Sequence, residues 1–129
     1  MKIKLVLLLL LLFSITEAFA THIVGGQLFI TENKGSYYNY KIGLTMYFDA
    51  INGNPGAEDQ AVYIYIFRKR DNQLLDRLEV PKIGRNLVNY TNPSCVISSA
   101  KTIEVTYALD VQVLTAQLND PAGYYMVWD

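Results

Sequence analysis

The chain has 129 residues, with 11 Lys and Arg against 12 Asp and Glu, one histidine and one cysteine. A net charge of −1 leaves no electrostatic footprint for nucleic acid. One His and one Cys are too few for the ligand clusters of zinc sites, and the length suits one domain with one core.

Residues 1–20 read as a secretory signal peptide. Lys2 and Lys4 form a positive n-region, Leu5 to Phe13 is an unbroken apolar run, and the stretch after it ends Ala18-Phe19-Ala20, the small-residue pattern that precedes cleavage. The run falls well short of the ~20 apolar residues that a membrane span requires, and Glu17 follows it closely. Cleavage between Ala20 and Thr21 is expected, an uncleaved anchor being the alternative. Residues 21–129 then form a single exported β domain with no transmembrane segment. Export places Cys95 in an oxidising compartment. It reads either as a small buried hydrophobe or as half of a disulfide whose partner lies outside this chain.

The first strand is expected over His22–Thr31. A hairpin loop, Asn33-Lys34-Gly35-Ser36, leads to the clearest strand, in which Tyr38, Tyr40, Ile42, Leu44, Met46 and Phe48 alternate with polar or small residues and so share a core face. Asp49–Gln60, with Asn52-Gly53, Asn54-Pro55 and Gly56, is a long loop. Ala61–Lys69 is apolar on both faces, which predicts a central strand buried on two sides. After a turn at Arg70–Gln73, a fourth strand is expected over Leu74–Val80, stopped by Pro81, with a short strand at Asn86–Tyr90. Ala100–Thr115 alternates again, with Ile103, Val105, Tyr107, Leu109, Val111 and Val113 on one face. Its length predicts a bulge or bend near Asp110. A helical turn or loop at Thr115–Asp120 and a turn at Asp120–Gly123 precede a last strand over Tyr124–Asp129. About seven strands with regular turns predict an all-β, immunoglobulin-like antiparallel β-sandwich. The alternative is a small antiparallel barrel. The chain stops inside the last expected strand, so the domain is expected to be incomplete at its C-terminus.

Chemistry-bearing motifs are sparse. Ile23-Val24-Gly25-Gly26 matches the mature start of trypsin-like proteases, but the one histidine is His22 and no nucleophile segment exists, so no triad can form. His22 reads as a strand-edge residue rather than a metal ligand. Asp49, Asn52, Asn54, Glu58 and Asp59 supply oxygen donors of the type calcium takes, although the spacing misses the EF-hand and turn formation accounts for the same residues. Arg68-Lys69-Arg70 reads as a solvated hairpin end. Asn89-Tyr90-Thr91 fits a glycosylation sequon. Tyr37, Tyr47, Tyr63, Tyr65 and Tyr125 fall where an outer face would lie. They make either a protein- or sugar-binding surface or a face covered by a second layer.

Taken in order, several segments resemble a known family. Thr21-His-Ile-Val-Gly-Gly26, Tyr47-Phe-Asp49, Asn52–Asp59, Ile66–Asn72, Asn89–Cys95 and Asp120–Trp128 look like the N-terminal domain of large exported, gliding motility-associated proteins of Bacteroidetes-type bacteria. The resemblance implies a secreted or cell-surface protein in which sandwich repeats and a sorting domain follow this domain, with no catalytic residues to carry over. Relatives have a cysteine where Ala50 stands, and they continue past the Trp128 strand into an Arg-Cys-Cys-Arg-type segment, where the resemblance puts the partner of Cys95. The expected function is a non-enzymatic module for adhesion, surface assembly or gliding. Its expected partners are other envelope proteins or extracellular glycans, and no cofactor is required. The alternatives are a carbohydrate- or calcium-binding accessory module of an extracellular enzyme, or a non-functional gene fragment.

Overall fold

Six strands among the described residues carry the fold, and burial alternates most clearly in the first half of the third and in the fifth. The computed structural model describes residues 23–35, 37–91, 101–112 and 118–129. Ala20, Thr21, His22 and Cys95, and with them the expected cleavage site and disulfide, lie outside the described residues. In chain order the strands are β1 (Ile23–Glu32), β2 (Tyr40–Asp49), β3 (Ala61–Arg68), β4 (Gln73–Leu87), β5 (Thr102–Val111) and β6 (Tyr124–Trp128), with one 3₁₀ turn at Pro55–Ala57. All pairings are antiparallel, in the order β1-β2-β5-β4-β3-β6.

This single hydrogen-bonded sheet folds over on itself at β4. The first part of β4, Gln73–Pro81, pairs with β3, and the last part, Lys82–Leu87, pairs with β5. One layer is therefore β1-β2-β5-β4 and the other β4-β3-β6. A strand that changes sheets at a bend is how sandwich corners are made. The arrangement is a sandwich closed on one side by β4 and open on the other, between β1 and β6. Its order corresponds to the A-B-E-D and C′-C-F strands of immunoglobulin domains. The corner before β6 adds a second likeness, because the Tyr124 hydroxyl accepts a hydrogen bond at 2.8 Å from the Asp120 N–H four residues upstream, as in a tyrosine corner.

Several expectations are corrected. Pro81 does not end a strand, and β4 runs unbroken through it to Leu87, taking in Asn86 and Leu87 of the separate strand expected at Asn86–Tyr90, while Val88–Tyr90 form no strand. The Lys82 N–H donates to the Gln60 carbonyl on the β3 side, so by alternation the nitrogen of Pro81 faces away from β3, at the point where pairing passes to β5. A proline is tolerated there because no ladder bond is lost. The bulge expected near Asp110 is absent, since β2 and β5 stay in register from Asp49↔Thr102 to Tyr40↔Val111. Register shifts occur instead at Ile23/Gly25, Ile66/Phe67 and Lys82/Gly84. Tyr38 does not join the core face. It lies before β2 in a hairpin loop closed by the Asn33 N–H on the Asn39 carbonyl, and it is half exposed. Among the described residues there are six strands rather than seven.

The core lies between the layers. Ile42, Leu44, Met46 and Phe48 of β2 and Ile103, Val105 and Tyr107 of β5 meet Val62 and Ile64 of β3 and Val80 of β4. Each fully buried aliphatic side chain contributes ~1.5–3 kcal/mol. Tyr107 is buried with its hydroxyl donating to the Asp59 carbonyl at 3.0 Å, which ties the β2–β3 loop to the core. Burial pushes its phenol above the usual tyrosine range. On the opposite face of β2, Gly43 is required by close approach. A Cβ there would strike the Tyr107 carbonyl of the neighbouring strand and the Phe29 ring that crosses it.

Urea unfolding checks this packing. Ile64→Ala is expected to cost ~2–5 kcal/mol and Gly43→Ala ~1–3 kcal/mol. Ile83→Ala, at the exposed β4 bulge, is expected to cost less than ~0.5 kcal/mol. Equal effects at Ile64 and Ile83 would contradict the layer assignment.

Candidate functional site

The two layers present unlike outer faces. On the β2-β5 layer the outward positions are Lys41, Gly43, Thr45 and Tyr47, then Thr102, Glu104, Thr106, Ala108 and Asp110, a mostly polar or small set in which Gly43, Thr45 and Ala108 are buried and the Phe29 ring of β1 crosses Gly43. On the β4-β3-β6 layer, alternation along β3 buries Val62 and Ile64 and turns Tyr63, Tyr65 and Phe67 outward. Register then sets their neighbours. Tyr63 lies opposite Glu79, Tyr65 between Arg77 and Val127, and Phe67 between Leu74 and Tyr125.

These side chains form one aromatic platform. The Phe67 and Tyr125 rings stack with centroids 5.2 Å apart and planes 13° from parallel, and Tyr65 continues the row at 6.5 Å from Phe67. The Arg77 guanidinium sits 3.8 Å from the Tyr63 centroid and 5.9 Å from that of Tyr65, a cation–π arrangement. The Tyr125 hydroxyl donates to Asn72 Oδ1 at 3.2 Å. No element among the described residues covers this face. The rings are half-buried by one another, and Leu74 and Val127 at its margins are exposed. The expectation that β3 is buried on two sides therefore fails on this side, where side chains stack in place of a second layer.

Of the five tyrosines marked in the sequence, Tyr63, Tyr65 and Tyr125 come together here. Tyr47 lies on the other layer, and Tyr37 packs edge-on against Tyr38 in the β1–β2 loop at 5.2 Å. Phe67 and Arg77 were not marked. The alternation that selects Tyr63 and Tyr65 also selects Phe67. Arg77 is reached only through the β3–β4 register, which the Ile66/Phe67 shift hides from sequence.

The donors proposed for calcium are engaged otherwise. Asp49 Oδ1 accepts the Ile51 and Asn52 N–H groups, and Asp49 Oδ2 accepts the Asn52 side-chain amide. Asn54 Oδ1 accepts the Gly56 N–H. Glu58, with its side chain only 9% exposed, forms a bidentate pair with Arg85 at 2.9 and 3.1 Å, raising the guanidinium pKa. Asp59 contributes its carbonyl to Tyr107. Asp49, Asn54, Glu58 and Arg85 line a small cleft at this end of the core, yet among the described residues no three carboxylates, histidines or cysteines converge as metal ligands. Turn geometry and ion pairing thus account for the side chains of Asp49, Asn54 and Glu58.

The basic run is not a free solvated end. Arg68 makes two bonds to Asp71, at 3.0 and 2.6 Å, and also reaches the Gln73 side-chain carbonyl. Arg70 pairs at 3.1 Å with Asp120, whose buried carboxylate also accepts the Ala122 N–H. The β3–β4 turn, with Asn72 at φ 55°, is thereby clamped to the turn before β6. The hydrogen bond from Arg68 holds the Asp71 carboxyl at about 2.

Two outcomes follow. Because the folded-state pKa of Asp71 lies below its ordinary value of 3.8, its contribution is complete above about pH 4 and fades as pH falls toward 2. Asp71→Asn is therefore expected to flatten the acid limb of the stability profile over that window and to leave its slope above pH 5 alone. Millimolar calcium is expected to leave the melting temperature unchanged, and a rise would restore the loop as a metal site.

No family model matches this chain, and it has no match among the curated proteins or the solved structures.

Proposed function

We propose that this chain is a non-enzymatic module of an exported protein that acts at the cell surface in adhesion or surface assembly, with the β4-β3-β6 platform as its contact face. The single observation that carries the reading is that face itself. Tyr63, Tyr65, Phe67 and Tyr125 are half-buried and, with the exposed Leu74 and Val127 beside them, make a contiguous apolar surface that no element among the described residues covers. Large exposed apolar patches are uncommon on monomeric proteins and mark contact sites. Tyr and Arg are enriched at the energetic centres of interfaces, and here Arg77 already stacks on two of the rings. The leader-like composition of residues 1–20 supports export. The resemblance of the ordered segments to N-terminal domains of gliding motility-associated proteins supports the same compartment.

The stacked rings also support a second reading, a carbohydrate-binding accessory module, because sugar rings pack on flat aromatic faces. Beads coated with residues 21–129 separate the two. The first reading expects adhesion to cell envelopes of the producing bacterium, and Tyr65→Ala with Tyr125→Ala is expected to lower it ~10-fold or more while Tyr47→Ala does not. Retention on insoluble polysaccharide alone would favour the second reading. Undiminished adhesion by the Tyr65/Tyr125 variant would end both. The mass of the exported product is expected to begin at Thr21.

A further inference from the structure

The platform is a face of the second layer, and the edge of that layer carries separate information. β6 pairs with β3 on one side and is the last strand of the order. Asp129 exchanges both backbone hydrogen bonds with Tyr63, and the Gly123 carbonyl accepts from the Lys69 N–H. By alternation, Tyr125 and Val127 also direct their N–H and C=O groups at β3. Tyr124, Met126 and Trp128 direct theirs at the open edge.

Natural sheets guard such edges with charge, proline or bulges. The edge strand of the other layer, β1, has a register shift at Ile23/Gly25 and ends on Glu32. The β6 sequence, Tyr-Tyr-Met-Val-Trp, has no charge and no proline, and its pairing with β3 runs without a shift.

We infer that the β6 edge is an interface for a second copy of this chain, the two β6 strands pairing antiparallel about a two-fold axis at Met126. The inference does not rest on the platform reading. In this register Tyr124 faces Trp128 of the second copy and Met126 faces its own equivalent. All three outward-directed residues therefore fall in hydrogen-bonded pairs, each exchanging two bonds. On the outer face Tyr125 meets Val127 of the second copy, an aromatic–aliphatic pair of the kind that stabilises cross-strand contacts. No charge is buried and no like charges meet, and the same patch serves both subunits, as a closed two-fold dimer requires. Each three-stranded layer keeps its own pairing, so the dimer would join two β4-β3-β6 layers into one sheet.

Sedimentation equilibrium of residues 21–129, which contain the six described strands, tests this over ~10–500 µM, a range suited to an interface below ~1,200 Å². The mass is expected to rise from monomer toward dimer. Tyr125→Glu with Val127→Glu sets like charges opposite each other and is expected to hold the chain monomeric. Tyr125→Lys with Val127→Glu sets opposite charges across the same contact and is expected to restore the dimer. Circular dichroism checks that both variants fold. In hydrogen exchange, the Met126 and Trp128 amides are expected to gain protection with concentration, and the Tyr125 and Val127 amides, bonded to β3, are expected to be protected throughout. A monomeric mass across the range, a dimer that survives the double-Glu change, or protection of Met126 and Trp128 that does not depend on concentration would each overturn the inference. The last result would show that another strand already fills the edge.

Discussion

Everything in this fold depends on β4 remaining one hydrogen-bonded strand while it passes from one layer to the other. Its first part holds β3 and its last part holds β5, so the relation between the layers is set by ladder bonds rather than by core packing alone. Two local features make the passage. Pro81 sits where its missing donor costs nothing, and the extra residue at Ile83 adds the bend that a bulge supplies. The side chains on either side then face the same interior, with Val80 sealed between the layers. Tyr107 meets the returning chain at the same level and fixes the β2–β3 loop by its bond to the Asp59 carbonyl. A break at the corner would uncouple both layers from a shared core, a larger effect than the loss of any one contact in it.

The strands that the sequence made legible are those whose burial is uniform along their length. In β2 and β5 every second residue from Ile42 to Phe48 and from Ile103 to Val111 points inward, and the register between them never slips. β4 was illegible for the opposite reason. It lies opposite the Ile66/Phe67 shift, carries the Lys82/Gly84 shift, and contains a proline, so its period of two is interrupted wherever a reader would look for it. The platform was half legible. Tyr63 and Tyr65 follow from alternation and Tyr125 from its place in the last strand. Arg77 depends on which β4 residue lies opposite Tyr65, a fact held in pairing and not in composition. The β2–β3 loop is legible in two ways. Asp49, Asn52, Asn54 and Glu58 are the residue types that calcium selects, and turns and ion pairs select them too.

Charge in this protein works mainly at the ends of the strands. The Arg68–Asp71 and Arg70–Asp120 pairs join turns that are distant in sequence, and the Glu58–Arg85 pair closes the core beside the β2–β3 loop. Each pair has at least one partner largely in solvent, which limits what it contributes individually. Their value here is geometric. Holding the β3–β4 turn against the turn before β6 keeps Asn72 within reach of the Tyr125 hydroxyl, and so supports the ring that ends the aromatic row.

The contrast between the two outer faces is best explained by what each layer must do. The outer positions of β2 and β5 are mostly polar or small and carry little of the apolar area of the fold, although Gly43, Thr45 and Ala108 among them are buried. The β4-β3-β6 layer could have done the same, since its core face already supplies the burial that the fold requires. It instead exposes aromatic side chains and covers part of their area only by stacking them on each other and on Arg77. Folding gains less from a ring left half in water than from one sealed in the core, so these positions are better suited to contact than to stability. Their row also runs toward β6, which ends the sheet order among the described residues and carries no charge. Aromatic area not sealed in the core is therefore concentrated on the smaller layer.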